Sequence, residues 1–155
     1  MLFTRTYKYQ SSMGIEAIKA KLIGKHVKIH NLDFEVSEKD QMVRIIPHAE
    51  QEEGVKTLPI THVEFNGKGG NTQVIVSSKM RKIDKGGPFL VVTFCAFMMI
   101  AAVLFMLRGG KDFENFTYWM LGISVGIFII FWIRMESGYF DYVRKIRDYI
   151  KTQSI

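Results

Sequence analysis

Two long apolar runs constrain the fold of this chain more than any other feature. In Phe89 to Leu107, 18 of 19 residues are apolar, and in Phe116 to Ile133 the count is 14 of 18. Each run has about the 20 residues that an α-helix needs to cross a hydrocarbon layer of roughly 30 Å, and neither contains a charge. The sequence therefore predicts a transmembrane helical hairpin. Its spans are 88–107 and 116–133, within a membrane segment 88–134.

The alternative is a pair of core helices in a soluble protein. A domain of 155 residues could hardly cover two helices that are apolar on every side, so we favour the membrane. Aromatic residues at interface depth agree with that choice, because tryptophan and tyrosine concentrate where lipid meets water. These residues are Tyr118, Trp119 and Trp132.

Basic residues near the spans predict their orientation. Nine lie before the first span or after the second, against two in the short connection around Gly109 and Gly110. Because cytoplasmic flanks carry the excess of lysine and arginine, we expect an integral, multi-pass protein with both termini cytoplasmic, in the cell (inner) membrane. The formal net charge of +6 then needs no nucleic acid to explain it.

The interior of the spans indicates packing rather than transport. Ion and proton pathways need ionisable residues within the membrane, and the runs contain none, which argues against a transporter or channel formed by this chain alone. Gly122 and Gly126 form a small-xxx-small pair that lets another helix approach closely. The alternative is that Ala101 and Ala102 of the first span fill that groove within the chain.

Residues 1–87 are typical of a small α+β domain. Alternating residues predict a strand over Leu2 to Tyr9, and a helix should follow, with Ser11 and Ser12 as candidate caps and Gly24 beyond its end. The period then returns to two, which predicts an antiparallel meander of about five strands. A helix covers only one face of such a sheet, so the other face is left for water, lipid headgroups, the C-terminal tail or a partner.

The last segment, 135–155, is predicted to be a basic amphipathic helix. Its apolar residues recur at helical intervals, with basic residues between them. Such a helix lies in a membrane interface or docks on a protein surface. The predicted interface residues are Tyr139, Tyr142, Val143, Ile146, Tyr149 and Ile150.

A basic cluster precedes the first span. Each cation at a membrane surface gains about 1 kcal/mol from anionic lipid, so this cluster is a candidate lipid contact as well as a topology signal. Its members are Lys79, Arg81, Lys82 and Lys85.

The residues that would carry chemistry are not arranged as a site. Zinc sites in small domains have tighter histidine spacing or cysteine partners, and a nucleophile needs a base beside it. Gly67 to Gly70 is better interpreted as a hairpin turn than as a phosphate loop, and the acidic residues near Gly54 as a solvated loop. We therefore predict no catalytic, metal-binding or cofactor-binding residues. The residues weighed were His26, His30, His48, His62, Ser11, Ser12, Ser77, Ser78, Glu50, Glu52 and Glu53.

These patterns predict a two-span membrane protein whose cytoplasmic domain binds a protein partner or ligand at the membrane surface. We expect an accessory or assembly subunit that contacts membrane lipids, and a protein partner or self-association, without catalysis of its own. The alternative is a lipid or apolar-ligand binding protein, or a membrane-associated enzyme, that uses a pocket in the α+β domain. A sensory domain is a third hypothesis, but the chain offers no output module for it.

Overall fold

The computed structural model divides the chain into two compact units, and the first of them is discontinuous in sequence. That first unit combines Met1–Arg81 with Gly138–Ile155, and the second is Lys82–Ser137. The described residues are 3–30, 32–48, 57–68, 71–82, 84–108 and 114–155.

A six-stranded antiparallel sheet forms the body of the first unit. The strands alternate between buried and solvent-facing residues, as expected for a sheet that is covered on one face. Their order is β1-β6-β5-β4-β3-β2, so the meander of five strands predicted from the sequence is confirmed, and it returns to pair its last strand with β1. The strands are β1 (Arg5–Ser11), β2 (His26–Ile29), β3 (Leu32–Lys39), β4 (Met42–His48), β5 (Pro59–Lys68) and β6 (Asn71–Met80).

The first helix, α1 (Ile15–Leu22), follows β1 as predicted, but its predicted caps are wrong. Gly14 occupies the N-cap position, without a side-chain cap. Ser11 instead belongs to β1, where its hydroxyl donates to the carbonyl of Ser154 and accepts a hydrogen bond from the Met13 N–H at 3.0 Å. The strand extends two residues beyond its predicted end, because Gln10 and Ser11 continue the pairing with β6, opposite Gln73 and Thr72.

The C-terminal helix, α4 (Asp141–Ser154), completes the core of this unit. Ile146 and Ile150 are fully buried and join Ile18 and Leu22 of α1 against one face of the sheet. Their sheet-side neighbours are Val27, Ile29, Phe34, Val36, Val43, Ile45, Val63, Val74 and Val76. One apolar layer thus joins the two ends of the chain, although 56 residues of the second unit separate them in sequence.

Two helices of the second unit are long and apolar enough to cross a membrane. They are α2 (Gly86–Arg108) and α3 (Glu114–Met135), and the predicted spans lie within them. Only 11% of the residues in the apolar window of each helix are buried, which is the opposite of a soluble core helix. A π-helical turn, Glu136–Phe140, lies between α3 and α4.

The two apolar helices pack as an antiparallel pair. The Ser124 hydroxyl donates to the carbonyl of Cys95 at 3.0 Å, and the rings of Phe105 and Phe116 meet edge to face with centroids 6.3 Å apart. Apart from Met135 at the C-terminal end of α3, the buried side chains of the pair are small or polar, which lets the backbones approach. They are Cys95, Ala102, Thr117 and Ser124.

Some predicted features lie outside the described residues. They are the acidic loop at 50–54, Gly69 and Gly70 of the predicted turn, and the connection at Gly109 and Gly110.

Candidate binding surface on the open sheet face

One face of the sheet is left open within its own unit. Among the described residues of this unit, α1 and α4 pack against the opposite face, so the alternate strand residues are half-buried or exposed. We call this surface the open sheet face. Its central row crosses five strands, with each residue directly opposite the next: Thr6, Ser77, His62, Arg44 and Ser37.

The middle of this row is electropositive. Burial lowers the pKa of His62 most, and the neighbouring cations Arg44 and Lys79 lower it further, while the Glu64 carboxylate has a smaller, opposite effect. The His62 Nδ1 atom is buried and has no hydrogen-bond partner among the described residues. A half-buried imidazole beside two permanent cations indicates a position where a negatively charged group would be stabilised.

Isoleucines flank this charged centre. Ile60 lies directly opposite Lys79, and Ile75 lies opposite Glu64, both in the β5–β6 pairing. Ile46 extends the apolar flank on β4, and all three side chains are half-buried on the open sheet face. The surface therefore combines cationic groups with apolar side chains, a composition suited to an amphipathic or anionic partner.

The far edge of the same face is internally neutralised. The His26 Nδ1 atom lies 2.8 Å from the Asp33 Oδ2 atom, and the His48 Nε2 atom lies 3.3 Å from the Glu35 Oε2 atom. The two imidazole rings stack with centroids 6.1 Å apart. Among the described residues, no group of three or more His, Cys, Asp or Glu side chains is arranged to hold a metal ion.

The basic residues predicted to meet lipid fall at the end of β6 and in the segment that follows it. Lys79 is an exposed residue of β6 on the open sheet face, close enough to His62 to lower its pKa. Arg81 is half-buried, and its backbone N–H donates to the Leu58 carbonyl at 3.4 Å. Lys82 and Lys85 are exposed and precede α2.

The predicted tail interface lies mostly inside the first unit. Tyr142, Ile146 and Ile150 belong to its core, Tyr149 packs against that core, and Tyr139 and Val143 are buried. The apolar face of α4 is therefore already covered by the chain's own sheet and α1. What remains outward on this helix includes Lys145, Asp148 and Lys151.

Polar contacts hold the start of α4. The Tyr139 hydroxyl donates to the Phe3 carbonyl at 2.6 Å, and burial raises the pKa of this phenol well above its usual range. His30 Nε2 lies 2.9 Å from Asp141 Oδ2, and Lys145 Nζ lies 3.0 Å from the same oxygen. The hydrogen bond with His30, and then that with Lys145, lowers the pKa of Asp141.

Further contacts hold the other end of α4. The Ser154 hydroxyl lies 3.0 Å from that of Tyr9, and the Ser154 carbonyl accepts the Ser11 hydroxyl. Burial raises the pKa of Tyr9, with the Ser154 hydrogen bond acting in the opposite direction. The helix is thus attached to the sheet domain at both ends.

The glycine pair of α3 faces away from α2. A Cβ atom added at Gly122 or Gly126 would meet no heavy atom within 4 Å outside its own helix backbone. Ala101 and Ala102 therefore do not fill the groove, and its contact with a helix of another chain stays a prediction.

Replacing both Gly122 and Gly126 by leucine should reduce the oligomer size in mild detergent. Leucine side chains would keep a second helix from approaching the groove, while the open space around both positions lets the hairpin itself tolerate them. Size-exclusion chromatography with light scattering measures the effect, and Ile127→Leu is the matched control, because Ile127 is exposed on the same helix but lies about 100° or more around its axis from both glycines. An unchanged mass of the double variant would contradict self-association through this groove.

Sequence reasoning missed Arg44, rejected Ser77 as a nucleophile without a base, and treated His62 as an isolated histidine on a later strand. The signal in the sequence was the alternation within β4, β5 and β6. It places each of the three residues on the side of its strand that faces away from the buried residues. Alternation alone leaves the register open, and only the register makes them neighbours.

Comparison with known proteins does not assign the chain to a family or the open sheet face to a function. No protein-family model matches the chain, and neither a curated protein nor a solved structure shows significant similarity to it.

Proposed function

We propose that this protein is a membrane-anchored binding subunit. Its hairpin crosses the membrane, its sheet domain lies on the cytoplasmic side with both termini, and the open sheet face receives a partner or ligand at the membrane surface. It acts as an accessory or assembly subunit, without catalysis of its own.

The division of the chain supports the anchoring half of this proposal. The segments before α2 and after α3 belong to one compact unit, whose core contains both α1 and α4. A folded unit with a continuous apolar core cannot be divided across a bilayer, so a hairpin inserted between its two parts must leave and return on one side. The excess of basic residues in those two flanking segments favours the cytoplasmic side.

The open sheet face is the observation that carries the binding half. The domain uses both of its helices on the opposite face, and the open face has a cationic centre beside half-buried isoleucines. The apolar spans 88–107 and 116–133 carry no Asp, Glu, His, Lys or Arg on which a transport path could be built. Binding at the domain, rather than passage through the hairpin, is the function that these residues favour.

Site-specific photo-crosslinking tests this proposal in the full-length protein. A photoreactive residue at Thr6, exposed at the β1 end of the central row, should yield a discrete adduct in intact membranes. The same probe at Ala20, exposed on α1 of the covered side, should not. Mass spectrometry identifies the adduct as protein or lipid. Equal yields at both positions, or no adduct at either, would contradict a binding role for the open sheet face.

A further inference from the structure

The cationic centre has the geometry of a site for a multivalent anion. Arg44, His62 and Ser77 lie opposite one another on β4, β5 and β6. Neighbouring strands are about 4.8 Å apart, so donors from three strands span roughly 10 Å. Two of these side chains are half-buried nitrogen groups and the third is a hydroxyl, so they can approach one ligand from several directions.

The charge at this point is not balanced. The groups that act on His62 are two permanent cations, Arg44 and Lys79, against one carboxylate, Glu64. The other histidines of this face each have a carboxylate beside them, at 2.8 Å for His26 and 3.3 Å for His48. The centre of the open sheet face therefore carries an excess of positive charge that is available to an anionic ligand.

A phosphate group fits these donors better than a single carboxylate. Arginine binds phosphate oxygens in a bidentate fork, and the remaining oxygens can accept from a lysine ammonium and a serine hydroxyl. Lys79 and Ser77 supply such donors on the same face of β6.

The chain itself argues for a membrane as the source of this phosphate. Only six residues separate Lys79 from Gly86, the first residue of α2, and three of them are basic. A basic segment next to a span attracts anionic lipid. The isoleucines beside the centre, Ile60 and Ile75, offer apolar contact to the glycerol and upper acyl region of a lipid, which a soluble phosphate compound lacks.

We propose that Arg44, Lys79 and Ser77 bind the phosphate of an anionic phospholipid headgroup, with His62 beneath it as a fourth donor. This inference rests on the proposed function, because it names the chemistry of the ligand that the open sheet face receives. It adds Arg44, His62 and Ser77 to the lipid contact, of which the sequence indicated only the basic segment from Lys79 onward.

Native mass spectrometry of the full-length protein in detergent tests the site, with phosphatidylglycerol as the probe and phosphatidylcholine as the zwitterionic comparison. Arg44→Gln should weaken phosphatidylglycerol binding about tenfold or more, since a hydrogen bond between two charged groups is lost. Lys28→Gln is the matched control, because Lys28 is exposed on the same face but lies on β2, two strands beyond Arg44. Its binding should stay within about twofold of wild type.

The imidazole of His62 provides a second readout that a folding defect would not imitate. A bound anion should raise the pKa of His62, which burial and then Arg44 and Lys79 lower and Glu64 raises in the unliganded protein. Phosphatidylglycerol should produce this rise in an NMR titration, and it should bind more tightly as the pH falls through the His62 pKa. In Arg44→Gln the rise should require about tenfold more phosphatidylglycerol, and the unliganded spectrum of this variant reports whether the domain is folded.

Three outcomes would overturn the lipid site. The first is equal phosphatidylglycerol binding by Arg44→Gln and Lys28→Gln, and the second is an unchanged His62 pKa. The third is displacement of the lipid by millimolar inorganic phosphate or glycerol phosphate, which would make the ligand a soluble phosphate. A protein adduct in the Thr6 crosslinking experiment would keep the proposed function while this inference fails.

Discussion

Replacing Ile146 by alanine is expected to lower the free energy of unfolding of the sheet domain by about 2–5 kcal/mol. Ile146 is fully buried in the core that α1, α4 and the sheet share, so its truncation removes apolar contacts and leaves a cavity. The loss should be felt in the N-terminal strands, because the core that stabilises them includes a helix from the other end of the chain.

Hydrogen exchange measured by mass spectrometry suits this prediction. Both tryptophans, Trp119 and Trp132, lie in α3, so tryptophan fluorescence would report on the hairpin rather than on the sheet. The most protected amides of β4 to β6 should exchange about 30-fold faster or more in Ile146→Ala. Lys151→Ala, at an exposed position of the same helix, should change them little. Changes below about threefold in Ile146→Ala would show that α4 does not stabilise the sheet.

The local elements were predictable because their patterns reflect burial on one side. The pairs Val27 and Ile29, Phe34 and Val36, and Val43 and Ile45 alternate with polar residues, and each pair is buried on one face of the sheet. The apolar runs predicted α2 and α3 for a different reason, because helices that are apolar on every side have few possible environments other than a membrane.

The partner of the last helix was not predictable in this way. The spacing of Tyr142, Ile146 and Ile150 shows that α4 has an apolar face, but periodicity does not say what covers it. A membrane surface, a second protein and the chain's own sheet all demand the same pattern. Ser11 illustrates the same limit, because nothing near it in sequence indicates that its hydroxyl is bonded to Ser154.

The candidate site required knowledge of the register. His62, Arg44 and Ser77 are far apart in sequence, and a shift of one residue in either strand pairing would place one of them on the covered face. The basic residues near the first span needed no such knowledge, so Lys79 was identified from sequence and its neighbours on the sheet were not.

The hairpin is predicted to place both flanking segments of the chain on one side of the membrane and its connection on the other. Lys8 on β1 and Thr152 on α4 belong to one compact unit, on either side of the hairpin in sequence. Glu114, at the start of α3, lies at the opposite end of the hairpin. We expect Lys8 and Thr152 to share one side, the cytoplasmic one, and Glu114 to lie on the other.

Single cysteines test which side of the membrane each position occupies. From a given side, each cysteine should be labelled almost completely or hardly at all. A Cys95→Ala background removes the native thiol and keeps the backbone carbonyl that accepts the Ser124 hydroxyl. Lys8→Cys, Thr152→Cys and Glu114→Cys replace exposed residues, so a membrane-impermeant maleimide can reach each of them from its own side.

Labelling of these three variants in intact and permeabilised cells tests the central claim most directly. The account predicts that only Glu114→Cys reacts in intact cells, and that Lys8→Cys and Thr152→Cys react together once the membrane is opened. Reaction of Lys8→Cys and Thr152→Cys from opposite sides would contradict a single domain anchored by a hairpin. Reaction of both in intact cells would contradict its cytoplasmic placement.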